Sequence, residues 1–199
     1  LNKKLFRRIN SLYENDIKES LSREQLTLLE KEYKSFVRNG ALLNDDEKEK
    51  LRVIDIKLAQ LSLSFGEHVL ADTQAYYLHI ENKLDLRGLP DNVIEMARNM
   101  AEEKKKKGWL FTLDYPSYVP FMSYAENRAL RKKLNGAFSK RGFQKNENNN
   151  SAIILKIIKL RQTRAKLLGY KSHAAFVLEE RMAQSEKNVK SFLDNLSEK

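Results

Sequence analysis

Apolar residues follow a helical pattern along almost the whole chain. They recur every three or four residues, as they do on the buried face of a helix. Only seven glycines and three prolines interrupt the pattern in 199 residues. Two helix starts carry capping boxes, Ser22 with Gln25 and Asn44 with Glu47. The pattern therefore predicts an all-α protein folded as a multi-helix bundle.

One predicted helix, residues 45–82, is much longer than the others and should form the centre of the bundle. Its apolar residues fall into two seams, each with a seven-residue repeat. The first seam is Leu51, Leu58 and Phe65, and the second is Ile56, Leu63, Leu70 and Tyr77. Two apolar seams on one helix predict burial against neighbours on two sides.

The remaining segments predict shorter helices, a strand and a loop. Helices are expected over 1–20 (with Ile17 among its apolar residues), 90–107, 127–140, 151–168 and from Ser185 onwards. The last of these is expected to bury Val189, Phe192, Leu193 and Leu196. Trp109–Leu113 predicts the single short strand, because its residues favour extended structure. The polar, Asn-rich residues 142–150 predict a mobile loop, at which the chain could divide into two parts.

Composition and charge narrow the classes of function. The chain has 41% hydrophobic and 32% charged residues, as expected of a helix-rich globular protein. The net charge is +10, but lysine and glutamate alternate along most helices and predict solvated faces. The run Lys104–Lys107 ends a predicted helix, where it would stabilise the negative helix end. We therefore expect no nucleic-acid partner.

The sequence also predicts no membrane partner and a cytoplasmic location. No run of about 18 apolar residues is present, and the basic amphipathic first residues do not resemble a signal peptide. The absence of cysteine excludes disulfides and thiolate metal ligands, and it is compatible with the cytosol.

Candidate catalytic chemistry is absent from these residues. There are three histidines, and His68 and His79 are predicted about 16 Å apart on one helix, too far to share a metal ion. The pattern H-E-x-x-H, which places two zinc ligands and a base on one helix face, does not occur. We therefore predict no catalytic, cofactor-binding or metal-binding residue here.

Four segments nevertheless resemble a known enzyme family. They are Gly88–Ala97, Gly108–Leu134, Ile157–Ala183 and Ser185–Leu196. In this order and at these spacings they are similar to the thimet oligopeptidase family of zinc metallopeptidases, most of all to its bacterial peptidyl-dipeptidases. The strongest similarity is WLFTLDYPSYVPFMSYAENRALRKKLNGAFSKR, from Trp109 to Arg141.

The resemblance implies a role for the chain within a larger enzyme. In that family such segments precede the zinc-binding core and form the helical half that walls a deep substrate channel. The whole protein is thus expected to be a zinc-dependent hydrolase of short peptides. Its catalytic H-E-x-x-H and third zinc ligand are expected downstream of Lys199. The residues 1–199 would then be an inactive helical piece without the catalytic core.

Two further expectations follow from this interpretation. Aromatic and basic residues on one helix face could line the channel, although core packing is the preferred prediction for Tyr115, Tyr118 and Tyr124. Apolar surface that the rest of the enzyme normally covers would be exposed, and it should cause self-association.

Two alternatives from other functional classes remain. The chain could be a basic helical module that binds nucleic acid, in which case its affinity would fall steeply with salt. It could instead be a helical scaffold for protein partners, which would form a stable stoichiometric complex. An H-E-x-x-H motif in the reading frame after Lys199 would favour the peptidase over both.

Overall fold

The computed structural model describes residues 2–15 and 20–198, and within them the protein is mostly helical. The helices are α1 Lys3–Glu14, α2 Arg23–Arg38, α3 Asp45–Ala75, α4 Asp91–Glu103, α5 Tyr115–Tyr124, α6 Arg128–Ser139, α7 Ser151–Leu167, α8 His173–Leu178 and α9 Glu186–Ser197. The strands are β1 Tyr77–Ile80 and β2 Trp109–Thr112, and a short 3₁₀ helix spans Lys83–Leu86. The predicted all-α class is confirmed.

The described residues form two compact units. The first unit contains those of 1–60 and 156–199, and the second contains 61–155. The boundaries fall within α3 and within α7. Residues 142–150 all belong to the second unit, and the sub-division predicted near them stays a prediction.

Aromatic stacking joins α1 to α2 in the first unit. The rings of Tyr13 and Tyr33 stack with centroids 3.7 Å apart, and Phe6 stacks on Phe36 at 5.6 Å. Offset ring pairs of this kind add to the burial of apolar area. Helix α1 ends at Glu14, earlier than predicted; Leu1 and Ile17 of the predicted helix lie outside the described residues.

Arg38, at the end of α2, holds α8 in the same unit. Its guanidinium donates to the carbonyl oxygen of Phe176 at 2.8 Å and to the hydroxyl of Tyr170 at 3.3 Å. It also forms an ion pair with Glu179. Because the guanidinium carbon lies 4.1 Å from the centroid of the Phe176 ring, a cation–π contact adds to these bonds.

The second unit has a core between a small sheet and the helices α4, α5 and α6. Strand β1 pairs antiparallel with β2 in the register Tyr77 with Thr112 and Ile80 with Trp109. The buried side chains of this core are Leu78, Ile80, Leu86, Leu89, Val93, Ala97, Phe111, Leu113, Phe121, Ala125 and Leu134. They come from both strands, from α4, α5 and α6, and from the connections between them.

The β1 strand corrects two sequence predictions. The long helix ends at Ala75 instead of continuing to residue 82, and the predicted single strand Trp109–Leu113 has a partner. Pairing with β2 satisfies the backbone of Tyr77–Ile80, while Leu78 and Ile80 enter the core. Tertiary pairing of this kind overrides local helical periodicity.

The second seam of the long helix is also corrected. In the first seam Leu51 is buried and Leu58 and Phe65 are half-buried, in agreement with a core-facing seam. Ile56, Leu63 and Leu70 are exposed rather than packed. Among the described residues, therefore, the predicted burial is found for the first seam of α3 and not for the second.

The loop 142–150 is anchored, contrary to its predicted mobility. The buried carboxylate of Asp72, on α3, accepts hydrogen bonds from the backbone N–H of Gly142 at 2.8 Å and from the side-chain amides of Asn146 at 3.0 Å and Asn148 at 2.9 Å. Burial raises the pKa of the Asp72 carboxyl, but the bonds from Asn148, Gly142 and Asn146 outweigh it and hold the pKa below its usual value.

The end of the same loop is fixed by a fully buried amide. Asn150 has no exposed surface. Its Oδ1 accepts from Nδ1 of His68 at 2.9 Å, and its Nδ2 donates to the carbonyl oxygen of Phe65 at 3.2 Å. Because this amide nitrogen donates to a carbonyl, the Asn150 oxygen must be the acceptor for His68. The loop thus has anchors on α3 at both ends.

We expect Asp72→Ala to lower the free energy of unfolding by about 2–3 kcal/mol, because three loop donors lose their acceptor. The folded-state pKa of Asp72 is lowered, so its contribution should be complete above about pH 4 and lost as the pH falls further. Urea unfolding at several pH values measures both effects. Glu67→Gln, an exposed change on the same helix, is the matched control. Equal stability of the two variants would contradict the anchoring role.

Candidate functional site

The candidate site is the surface where α4, β2 and α5 meet in the second unit, called here the α4–β2–α5 surface. It encloses a pocket of about 130 Å³. The lining is apolar with a few oxygen atoms, and its residues are Met96, Ala97, Met100, Leu110, Thr112, Asp114, Pro116 and Ser117. Pockets that hold whole small ligands have roughly 300–1,000 Å³. This pocket is therefore the size of a side-chain subsite.

A tight polar turn places β2 against the start of α5. The backbone N–H of Thr112 donates to Oγ of Ser117 at 3.0 Å, and Oγ1 of Thr112 donates to the Asp114 carboxylate at 3.0 Å. The carbonyl oxygen of Asp114 accepts from the N–H groups of Ser117 and Tyr118. Pro116 lies in the first turn of α5, where a helix needs no N–H donor. These bonds fix one wall of the pocket.

Gly88 positions the other end of α5. Its φ is +85°, and a Cβ added there would lie 2.1 Å from the carbonyl oxygen of Tyr124. The N–H of Glu126 donates to the carbonyl oxygen of Arg87 at 2.9 Å. The close approach of two backbones therefore depends on the absence of a side chain at this position.

The tyrosines of α5 divide into one packed ring and two exposed rings. Tyr118 stacks on Phe138 with centroids 3.9 Å apart, and its hydroxyl donates to Asn135 at 2.8 Å. Tyr115 is 72% exposed and Tyr124 is 56% exposed. Core packing was predicted for all three and is correct only for Tyr118. The exposed rings of Tyr115 and Tyr124 are large apolar surfaces on α5, one of the elements that form the pocket.

The three histidines are separate and have structural partners. His68 bonds the buried Asn150, and His79, in β1 instead of the predicted helix, donates from Nε2 to the carbonyl oxygen of Lys107 at 2.6 Å. His173 lies in α8 of the first unit, 6.3 Å from the ring of Phe176. Within residues 2–15 and 20–198, no three histidine or carboxylate side chains are grouped as metal ligands. The predicted absence of site residues stays a prediction.

The lysine run after α4 packs locally. The ammonium groups of Lys104 and Lys106 lie 5.8 and 5.5 Å from the centroid of the Tyr77 ring. These contacts suit cation–π attraction at an exposed site.

In the described part of the chain, no helix has both the length and the apolar character needed to cross a bilayer.

Sequence reasoning missed Met96 and Met100 as pocket residues. Met96 is 40% exposed on α4. A signal was present in their spacing, because side chains four apart lie on one helix face and methionine is an adaptable surface for apolar groups. The pocket itself also needs β2 and α5, which that spacing does not reveal.

The chain is similar to known peptidases. The sequence model of Peptidase family M3 matches residues 121–199. Oligopeptidase A of Haemophilus influenzae is 35% identical over 179 residues, covering 88% of this chain and 26% of that protein. The probable cytosolic oligopeptidase A of Arabidopsis thaliana is 35% identical over 192 residues, covering 93% of this chain and 27% of that protein.

A relative with a different name matches as well. Dipeptidyl carboxypeptidase of Escherichia coli is 29% identical over 194 residues, covering 97% of this chain and 28% of that protein. The chain spans about a quarter of the length of the curated relatives it matches. Oligopeptidase A of Haemophilus influenzae is 35% identical to this chain and the dipeptidyl carboxypeptidase 29%, so these relatives do not favour the expected peptidyl-dipeptidase branch.

We expect opposite effects from two glycine substitutions in the second unit. Gly88→Ala should destabilise the fold by at least about 2 kcal/mol, because a positive φ and a backbone clash coincide. Gly136→Ala, in α6, meets no atom within 4 Å and should stabilise by about 0.5–1 kcal/mol. Thermal unfolding of both variants measures the difference. A Gly88→Ala protein as stable as the Gly136→Ala protein would contradict the close approach.

Proposed function

From its similarity to oligopeptidases, we propose that the chain belongs to peptidase family M3 and forms the helical, substrate-facing part of a zinc-dependent peptidase. The proposed whole protein is a hydrolase that cleaves short peptides. The observation that carries the proposal is the similarity to two oligopeptidases over 88% and 93% of this chain. The proposal also agrees with the resemblance of the segments around α5 to the thimet oligopeptidase family.

The zinc ion of such an enzyme does not fit the residues of this chain. Three histidines lie in three separate surroundings, and within the described residues no carboxylates join them as ligands. A catalytic zinc site needs three protein ligands converging within about 2 Å of the ion. We therefore propose that the zinc ligands and the general base come from other parts of the whole protein. No chemical step is assigned to residues 1–199.

The proposed contribution of this chain is selection of substrates by shape and contact. A helical wall around a narrow channel admits short unfolded peptides and excludes folded proteins. Tyr115 and Tyr124, exposed on α5, would contact peptide side chains, and the small pocket beside α5 would hold one apolar side chain. Aromatic rings suit this role because they offer large, rigid contact areas.

A cytoplasmic location is part of the proposal. One similar Arabidopsis thaliana protein is named as cytosolic, whereas another, 34% identical over 192 residues, is named as organellar. Lysine and glutamate alternate along most helices, a pattern typical of faces exposed to water. This pattern supports a chain without a membrane or nucleic-acid partner.

Hydrolysis of a quenched fluorescent peptide tests the proposed function directly. The whole protein and residues 1–199 are assayed in parallel, with zinc and with a chelator. Activity of the whole protein that a chelator abolishes, with none from residues 1–199, is expected. Lack of activity in the whole protein after zinc addition would overturn the peptidase, and activity in residues 1–199 would overturn the assignment of the chemistry to other residues.

We expect Tyr115→Ala and Tyr124→Ala in the whole enzyme to raise KM about three- to tenfold with little change in kcat. Loss of part of an aromatic contact removes about 1 kcal/mol of binding to substrate and transition state alike. Phe143→Ala, which truncates another exposed ring, serves as the control for nonspecific effects. An unchanged KM in both tyrosine variants would contradict a contact between α5 and the substrate.

We also propose that residues 1–199 self-associate through α9. The sequence predicted burial of Phe192, Leu193 and Leu196, but all three are exposed, Phe192 by 63%. They lie on one face of a twelve-residue helix, and contiguous exposed apolar surface favours association.

Sedimentation over a wide concentration range should show a monomer–dimer equilibrium. Phe192→Glu should shift it toward the monomer, because a charge in an apolar contact is costly. Leu28→Glu, at an exposed leucine of α2, should leave the equilibrium unchanged. A sharply monomeric wild-type chain at high concentration would contradict the association.

A further inference from the structure

Phe176, in α8 of the first unit, is surrounded by cationic groups. The guanidinium carbon of Arg38 lies 4.1 Å from the ring centroid, and that of Arg164 lies 5.1 Å away. The imidazole of His173 stacks on the same ring with centroids 6.3 Å apart. One aromatic ring thus already contacts two permanent positive charges.

The carboxylates around this cluster are already in ion pairs, two of them with the cluster's own arginines. Asp55, on α3, accepts from Nε of Arg164 at 2.7 Å, and Glu179 pairs with Arg38. Two more pairs complete the set, Glu180 with Lys34 of α2 and Glu186 of α9 with Lys171. Arg161, on α7, has no ion pair within the described residues. The electrostatic surroundings of His173 are therefore dominated by Arg161 and Arg164.

Hydrogen bonds tie His173 to α7 through the backbone that precedes α8. The N–H of His173 points to Oε1 of Gln162 at 3.4 Å, and Nε2 of Gln162 donates to the carbonyl oxygen of Lys171 at 3.1 Å. Repulsion between a charged imidazole and the α7 arginines would therefore act where α8 is attached to α7.

The direction of the proton equilibrium agrees with this geometry. Burial, with the charges of Arg161 and Arg164, lowers the pKa of His173 from its usual value of 6.5. The neutral ring is therefore favoured in the folded chain. Its contribution to stability is present above about pH 6.5 and is lost as the pH falls through the lowered folded-state pKa.

We propose that His173 makes the attachment of α8 sensitive to mild acid. Protonation of His173 places a third positive charge beside the ring of Phe176, in addition to Arg38 and Arg164. The carboxylates of Glu179 and Asp55 already form ion pairs with these arginines. The contacts of Arg38 and Arg164 with α8 weaken, and α8 separates from α2 and α7 more often. The device requires only this unit and is independent of the proposed peptidase activity.

Hydrogen exchange of the full chain between about pH 8 and about pH 5 tests the device. After correction for the intrinsic rate, α8 amides should lose protection in acid while α4 amides keep theirs. A difference of one pKa unit corresponds to about tenfold in the opening equilibrium. His173→Gln should remove the acid effect on α8, and His79→Gln should leave it intact.

Proton NMR titration of the imidazoles, in the wild-type chain and in variants, supplies a second measurement. With three histidines in the chain, single substitutions assign each signal. His173 should titrate below the ordinary value for histidine, and Arg161→Gln should raise its pKa. An ordinary or raised pKa for His173, or acid loss of α8 protection that persists in His173→Gln, would overturn the proposal.

Discussion

Burial of two phenylalanine rings is the interaction on which the second unit depends. Phe111 of β2 and Phe121 of α5 have no exposed surface, and their ring centroids lie 4.6 Å apart. The pair fixes β2 against α5. Because the pocket beside α5 has walls from both elements, its shape follows from this contact. Rings that fill a core so tightly leave little freedom to the elements that carry them.

The first unit is held differently. Few of its apolar side chains are buried, and α8 is attached to α2 through the hydrogen bonds, ion pair and ring contact of Arg38. Such an attachment depends on charge, so it responds to pH in a way that an apolar core does not. An exposed α9 follows it in the chain. These properties suit a region that makes further contacts in a larger protein.

The features that the sequence predicted correctly are local. The capping box of Ser22 and Gln25 is present as expected, with both hydrogen bonds formed, and Asn44 with Glu47 likewise exchange bonds at the start of α3. A cap depends on residues three apart, so its signal lies within a few positions of the chain. Helix type and approximate position are predictable for the same reason.

The features that the sequence missed depend on distant residues. Strand β1 requires a partner strand about 30 residues away, and the anchoring of 142–150 requires Asp72 on α3. The exposed Tyr115 and Tyr124 were expected in the core, because side-chain pattern alone does not show which face a neighbour covers. The candidate pocket was missed since it needs three elements at once. The similarity to oligopeptidases, in contrast, was readable from ordered segments without knowledge of the fold.

The central claim is that these residues shape a peptidase whose metal site lies elsewhere in the whole protein. Zinc content after exhaustive dialysis measures it most directly. The whole protein should retain about one zinc ion per chain, as a catalytic site with three protein ligands does, and residues 1–199 should retain none. Stoichiometric zinc bound by residues 1–199, or a whole protein that never retains zinc, would contradict the account.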